Sequence, residues 1–116
     1  MFTYWRAMTL KKRSFTGQVS NIDLRMLRIF KTVVDCGGFS AAEVELNISR
    51  PAISIAISDL EKRFNLKLCQ RGRTGFSLTE EGAEVYQSVL ELLSALETFR
   101  TQVNGINEQL KGELNI

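Results

Sequence analysis

Residues 48–82 read ISRPAISIAISDLEKRFNLKLCQRGRTGFSLTEEG. Ser49 is a side-chain cap for a helix, and Pro51 falls inside the first turn, where its missing N–H costs nothing. Ile53, Ile57, Leu60 and Phe64 then recur at helical spacing and form one inward stripe, which Asn65 ends. Leu66 to Arg71 alternates briefly, Gly72-Arg73-Thr74-Gly75 is turn-forming, and Phe76-Ser77-Leu78 alternates again. This predicts a short hairpin with a basic, glycine-containing tip directly behind a helix. Thr79 opens another helix, with Glu80 and Glu81 in the first turn, where the positive end of the helix dipole favours acids.

Upstream, Leu24, Leu27, Phe30, Val33 and Val34 repeat at helical spacing behind Asp23, a candidate N-cap or first-turn acid. Cys36-Gly37-Gly38 ends this first helix, because glycine accepts the left-handed cap. Ser40 is expected to cap a short second helix to about Leu46, with Ala42 and Leu46 on one face. Asn47-Ile48-Ser49 is then a three-residue turn into the third helix. Two helices joined so tightly, the second opening Ser-x-Pro, suit a helix-turn-helix. The hairpin that follows is in the position of a wing. The expected domain spans residues 21–79. Residues 1–20 lack periodicity, hold Arg6, Lys11, Lys12 and Arg13 without an acid, and are expected to be a flexible basic arm.

Downstream, one column stepping by seven contains Gly82, Val89, Leu96, Val103 and Leu110, and a second contains Val85, Leu92, Phe99 and Ile106. Together they form an a/d seam over about four heptads, with Tyr86 and Leu93 beside it. A small domain can bury the first turns of such a helix but not its whole length. The remainder over 80–110 calls for a second chain or a missing domain, and Val85, Val89, Leu92, Leu96, Phe99, Val103 and Ile106 are the candidate dimer interface. Gly105 and Gly112 are candidate points of fraying.

Composition narrows the function classes. The 116 residues are 44% hydrophobic with one proline and no histidine. Lacking histidine, the chain lacks the commonest general base and metal ligand, and no phosphate loop or nucleophile–base pair is recognisable. No catalytic residue, metal site or cofactor is expected, so the chain is not read as an enzyme. Cys36 and Cys69 read as reduced, packed thiols. No stretch approaches the roughly 18 apolar residues of a membrane span, and the N-terminus lacks the apolar run of a signal peptide, so a cytoplasmic protein is expected. The net charge of +2 divides into +4 over residues 1–20, +3 over 21–79 and −5 over 80–116. A basic front and acidic back suggest that only the front meets a polyanion.

Several segments resemble the LysR-type family of bacterial transcription regulators. They are Asp23-Leu24-Arg25-Met26-Leu27-Arg28-Ile29-Phe30, Gly38-Phe39-Ser40-Ala41-Ala42, and Ile48-Ser49-Arg50-Pro51-Ala52-Ile53-Ser54 with Ile57, Leu60 and Glu61. Leu68-Cys69-Gln70-Arg71 through Leu78-Thr79-Glu80-Glu81-Gly82 completes the likeness, which covers about residues 22–116. The resemblance implies a mainly α fold: a winged helix-turn-helix of three helices and a two-stranded wing, followed by a long linker helix that dimerises antiparallel. It also implies an effector-binding domain beyond the chain. Gly112-Glu113-Leu114-Asn115-Ile116 looks like the start of that domain's first strand, so 111–116 is expected to begin it, and a small-molecule effector would act only through that missing part. The chain departs from the family pattern at Glu43, in place of a usual alanine, and at Cys69, in place of a phenylalanine. Arg50, Ile55 and Ala56 also depart from it, so a target sequence cannot be carried over.

These readings converge on sequence-specific binding of double-stranded DNA by a homodimer, with higher assembly left to the intact protein. A helical interaction adaptor that ignores DNA is the alternative. The outward candidates on the third helix are Ser49, Arg50, Pro51, Ser54, Ile55 and Ser58. Arg50 suits either a guanine edge or a phosphate, and Ile55 either a thymine methyl or the core of a rotated helix. Ser40 suits a phosphate at a helix N-terminus, and Arg71, Arg73 and Thr74 suit phosphates or the minor groove. A two-fold dimer implies an inverted-repeat site, and the resemblance implies an A/T-rich one near a promoter.

Overall fold

The computed structural model describes residues 15–72 and 75–114. Helix α1 spans Asn21–Cys36, α2 Phe39–Leu46, α3 Arg50–Phe64 and α4 Glu80–Leu114, with antiparallel strands β1 (Cys69–Gly72) and β2 (Gly75–Leu78) between α3 and α4. The chain divides into two compact units at Tyr86/Gln87. The first unit is the winged helix-turn-helix that the sequence predicts.

Local chemistry accounts for the helix ends. Ser20, not Asp23, caps α1. Its hydroxyl accepts the Asp23 amide while the Asp23 carboxylate accepts the Ser20 amide, a reciprocal capping box. Gly37 closes α1 at φ 83°, where a Cβ would be strained. Ser40 does not cap α2 as expected; Gly38 is the N-cap and Ser40 sits in the first turn. Among the described residues no side chain caps α2, which leaves its amino end open. Asn47 and Asn65 end α2 and α3 in the left-handed region, both at φ 56°. Ser49 caps α3 as expected.

The core of the first unit lies where α1, α2 and α3 meet. Phe30, Val33, Ile53, Ile57, Leu60 and Leu68 are fully buried there. Each such side chain contributes about 1.5–3 kcal/mol by leaving water. Asp23, the one buried charged side chain among the described residues, is paired with Arg63 in the last turn of α3 at 3.2 Å. Arg63 also donates to the carbonyls of Thr16 (2.8 Å) and Gln18 (3.4 Å), and its guanidinium lies 4.7 Å above the Phe15 ring. Phe15 in turn meets Phe64 edge-on at 4.8 Å. Residues 15–20, expected to be part of a free arm, are therefore held on the end of α3. The rest of that arm, residues 1–14, lies outside the described residues.

The Asp23 cluster predicts an acid-sensitive contribution to stability. The Arg63 hydrogen bond, followed by the Ser20 amide, holds the Asp23 carboxyl below its ordinary value of 3.8. A lowered folded pKa gives stability that is complete above the unfolded value and is lost as pH falls below it, through the folded value. Asp23→Asn should therefore melt below the parent at pH 7, and the gap should close as melts are repeated at pH values descending from about 4. A gap that stays constant through that range would show that the charge on Asp23 plays no part.

The wing is tied to the helices by α3 and by the start of α4. Glu61 of α3 accepts the amides of Leu68 (2.8 Å) and Cys69 (3.4 Å), just where the chain enters β1. Burial pushes the Cys69 thiol up, consistent with a packed neutral group. Thr79 precedes α4, donating to the Lys67 carbonyl at 2.5 Å and accepting the Gly82 amide at 2.8 Å. At Gly82 the helix passes so close to β1's approach that a Cβ would stand 1.9 Å from the Leu68 carbonyl oxygen. Gly82 is thus a contact point within the winged domain rather than a member of a seam. Tyr86 likewise serves this unit: its hydroxyl donates to Asp35 and its ring meets Phe30 edge-on at 6.5 Å.

From Gln87 on, α4 forms the second unit. It continues through Gly105 to Leu114, beyond the expected end at 110. The expected strand start at 111–116 is overturned as far as Leu114, because these residues are helical; Asn115 and Ile116 lie outside the described residues. Val89 is 3% exposed, whereas Phe99 is 65% and Ile106 59% exposed. The unpartnered seam therefore consists of Leu92, Leu96, Phe99, Val103, Ile106 and Leu110.

Candidate nucleic-acid interface

Helix α3 begins with every available amide engaged. Its first amide, that of Arg50, donates to the Glu43 carboxylate of α2 at 3.2 Å. Pro51 has no amide hydrogen. The Ala52 amide reaches the Ser49 hydroxyl at 3.3 Å, and the Ile53 amide reaches the Ser49 carbonyl at 3.1 Å. The amino end of the third helix is fully satisfied, and a carboxylate occupies the place an anion would take.

Side chains from three elements gather beside it. The Arg50 guanidinium extends to Ser40 in the first turn of α2, donating to its hydroxyl at 3.3 Å. From β1, Arg71 donates to the Ser54 hydroxyl of α3 at 2.8 Å and lies 4.5 Å over the ring of Phe39. Phe39 itself meets Phe76 of β2 edge-on at 6.0 Å. The result is a cleft of about 390 Å³ between the end of α1, the start of α2, the start of α3 and the turn end of the wing, with Ser40, Ala41, Arg50 and Arg71 among its lining residues. Two guanidiniums, hydroxyls and an uncapped helix start facing one cleft are the ingredients of a polyanion site.

Four of the residues singled out from the sequence thus form two hydrogen-bonded pairs, Arg50 with Ser40 and Arg71 with Ser54, and Ser40, Arg50 and Arg71 line the same cleft. Arg71 folds back onto α2 and α3 instead of extending along the wing. Ile55 is 61% exposed, which removes the alternative of a core role, and Pro51 is exposed one turn earlier. Ser58 is half-buried. The Ser49 oxygen is committed to capping. Arg73 and Thr74 lie outside the described residues.

The sequence reading missed Glu43 and Phe39 as parts of this surface. Glu43 sits seven residues before the amide it holds, and Phe39 is thirty-two before Arg71. Neither spacing is a recognised signal; each contact depends on how α2, α3 and β1 cross.

Among the described residues there is no group of three His, Cys, Asp or Glu side chains able to hold a metal ion, and no helix long and apolar enough to cross a membrane.

Comparison with known proteins places these features in context. A family model described as bacterial regulatory helix-turn-helix protein, lysR family, matches residues 24–83. The HTH-type transcriptional activator BauR of Pseudomonas aeruginosa is 57% identical over 109 residues, covering 94% of this chain and 36% of BauR. The nitrogen assimilation regulatory protein nac of Klebsiella aerogenes is 30% identical over 95 residues, covering 82% of this chain and 31% of nac. The chain thus spans about a third of the length of each. Among solved structures, the BenM DBD in complex with catB site 1 DNA superposes with a TM-score of 0.68 at 34% identity, over 72% of this chain and 93% of that one. CbnR, a LysR family transcriptional regulator, gives 0.66 at 25% identity, over 70% of this chain and 28% of that one. The matched segment begins in α1 and ends just past Gly82, the glycine that α4 packs on Leu68, and the chain belongs to the lysR family of bacterial regulatory helix-turn-helix proteins.

Proposed function

We propose that this chain binds double-stranded DNA sequence-specifically as a homodimer and serves as the DNA-reading part of a transcription regulator. The observation that carries the reading is that Ser40, Arg50 and Arg71, from α2, α3 and β1, line one cleft at the uncapped start of α2, with Arg50 held on Ser40 and Arg71 on Ser54. The open end of α2 with Ser40 holds a phosphate, as helix amino ends do. That phosphate sets the register in which α3 enters the major groove. There Arg50 pairs with a guanine edge, Ser54 and Ser58 supply hydroxyls, and Ile55 packs on a thymine methyl. Ser49 and Pro51 shape the leading edge of the helix. Arg71 contacts the backbone, with Arg73 and Thr74 following the phosphates or the minor groove.

The exposed seam of α4 pairs two chains, so the target is an inverted repeat, A/T-rich as for the family it belongs to. An effector would act through a part of the protein beyond this chain. No catalysis belongs to this function, and its location is the bacterial cytoplasm, with the chromosome.

Selection from random duplexes tests the proposal and should return an enriched two-fold symmetric site. Arg50→Ala should then weaken the selected duplex by about 1–3 kcal/mol and random duplex very little, because a paired arginine–guanine contact is lost only where that guanine is present. Equal losses on both duplexes would assign Arg50 to a phosphate. No enrichment at all would remove sequence reading from the chain.

A further inference from the structure

We infer that Glu43 is a specificity-determining residue: its carboxylate, fixed on the first amide of α3, keeps the amino end of that helix from gripping the DNA backbone. This rests on the DNA-binding reading above and adds to it a device that discriminates between correct and incorrect complexes.

A helix amino end normally attracts phosphates, because its first amides are unsatisfied and its dipole is positive there. The two helices of this motif treat that property differently. In α2 no side chain caps the start, and a serine and an arginine stand beside it. In α3 the Arg50 amide is held by Glu43, Pro51 has no amide hydrogen, and the Ala52 and Ile53 amides are held by Ser49. No amide of the first turn remains for a phosphate oxygen, and Glu43 adds a full negative charge. Glu43 is half-buried between the helices, and its α2 backbone is anchored where its own carbonyl accepts the Asn47 amide at 2.9 Å.

The consequence is a penalty that depends on register. On the correct site the start of α3 faces base edges, which are neutral, and Arg50 reaches past Glu43 to one of them. In off-register complexes the same helix end lies against the backbone and meets phosphates. Repulsion then falls mainly on the incorrect complexes, which is discrimination by an unfavourable contact with the competitor. A carboxylate that only braced α2 against α3 would change stability without changing which DNA is preferred.

The experiment measures the affinity of the parent chain, Glu43→Gln and Glu43→Ala for the selected duplex and for random duplex, at low and at moderate salt. It also records melting temperatures. Glu43→Gln keeps an oxygen for the Arg50 amide and removes only the charge, so it should melt close to the parent, whereas Glu43→Ala should melt lower. Both should bind random duplex about three- to tenfold more tightly at low salt, the range for removing one like charge held within a Debye length of one or two phosphates. The ratio of selected to random affinity should fall, and the effect should shrink as salt rises. An unchanged ratio in Glu43→Gln overturns the inference while leaving DNA binding standing. A parent chain that binds neither duplex overturns both.

Discussion

Gly82→Ala should lower the melting temperature by about 10–20 °C, through a net loss of about 2–4 kcal/mol in a domain of this size. By helix propensity alone the change should help, since alanine is favoured over glycine by about 1 kcal/mol inside a helix. Sterics decide the sign. The added Cβ would stand 1.9 Å from the Leu68 carbonyl oxygen, 2.8 Å from its carbon and 3.1 Å from the Thr79 hydroxyl. That carbonyl has little freedom to move. It accepts the Thr79 amide at 3.0 Å, the Leu68 amide is held by Glu61, and the Leu68 side chain is fully buried. The strain should therefore pass into the junction of the wing, α3 and the first turn of α4. Gly105→Ala is the control: a Cβ there meets nothing within 4 Å, so helix propensity acts unopposed and stability should rise slightly. Thermal melts of the two variants should move in opposite directions. A Gly82→Ala protein that melts at or above the parent temperature would mean that Leu68 yields and the close approach carries no energetic weight.

Leu96→Glu combined with Phe99→Glu should give monomers by light scattering and weaken binding to the inverted repeat proposed above by about 10²–10⁴-fold. The loss comes from converting a linked two-site interaction into two separate ones. The two side chains are 37% and 65% exposed in the single chain and lie on a face with Leu92, Val103 and Ile106, all exposed as well. Two facing glutamates would place like charges in the middle of that seam. Affinity for an isolated half-site should change little, since the reading surface proposed above lies on α2, α3 and the wing. A double variant that remains dimeric would place the association on another face.

Much of the fold follows from local rules that operate within a few residues. Ser49 and Pro51 start α3, Gly37 stops α1, Asn47 and Asn65 stop α2 and α3, and each of these signals is a backbone conformation or a side-chain reach of three residues at most. The expected hairpin is present and shorter than expected: β1 begins at Cys69, and the preceding Leu68 lies in the core with its amide on Glu61. Ser20, four places before Leu24, where the recognisable periodicity starts, was missed as the cap of α1. A capping box looks the same in sequence as any serine followed three residues later by an acid.

What the sequence determined by itself is therefore the set of elements, their order and the residue types on their outward faces, because helical period, capping and turn chemistry are short-range properties. The choice of Ser40, Arg50, Ser54, Ile55 and Arg71 as surface candidates needed nothing more. The tertiary structure alone decided which of these residues touch and which other groups join them. Arg71 reaches Ser54 and Phe39, Glu43 closes the end of α3, Arg63 gathers Asp23 with residues 16 and 18, and Gly82 gives way to Leu68. Such contacts depend on the crossing of helices to within an ångström or so, and that crossing is set by the volumes of Phe30, Ile53, Ile57 and Leu60 packed together in the core.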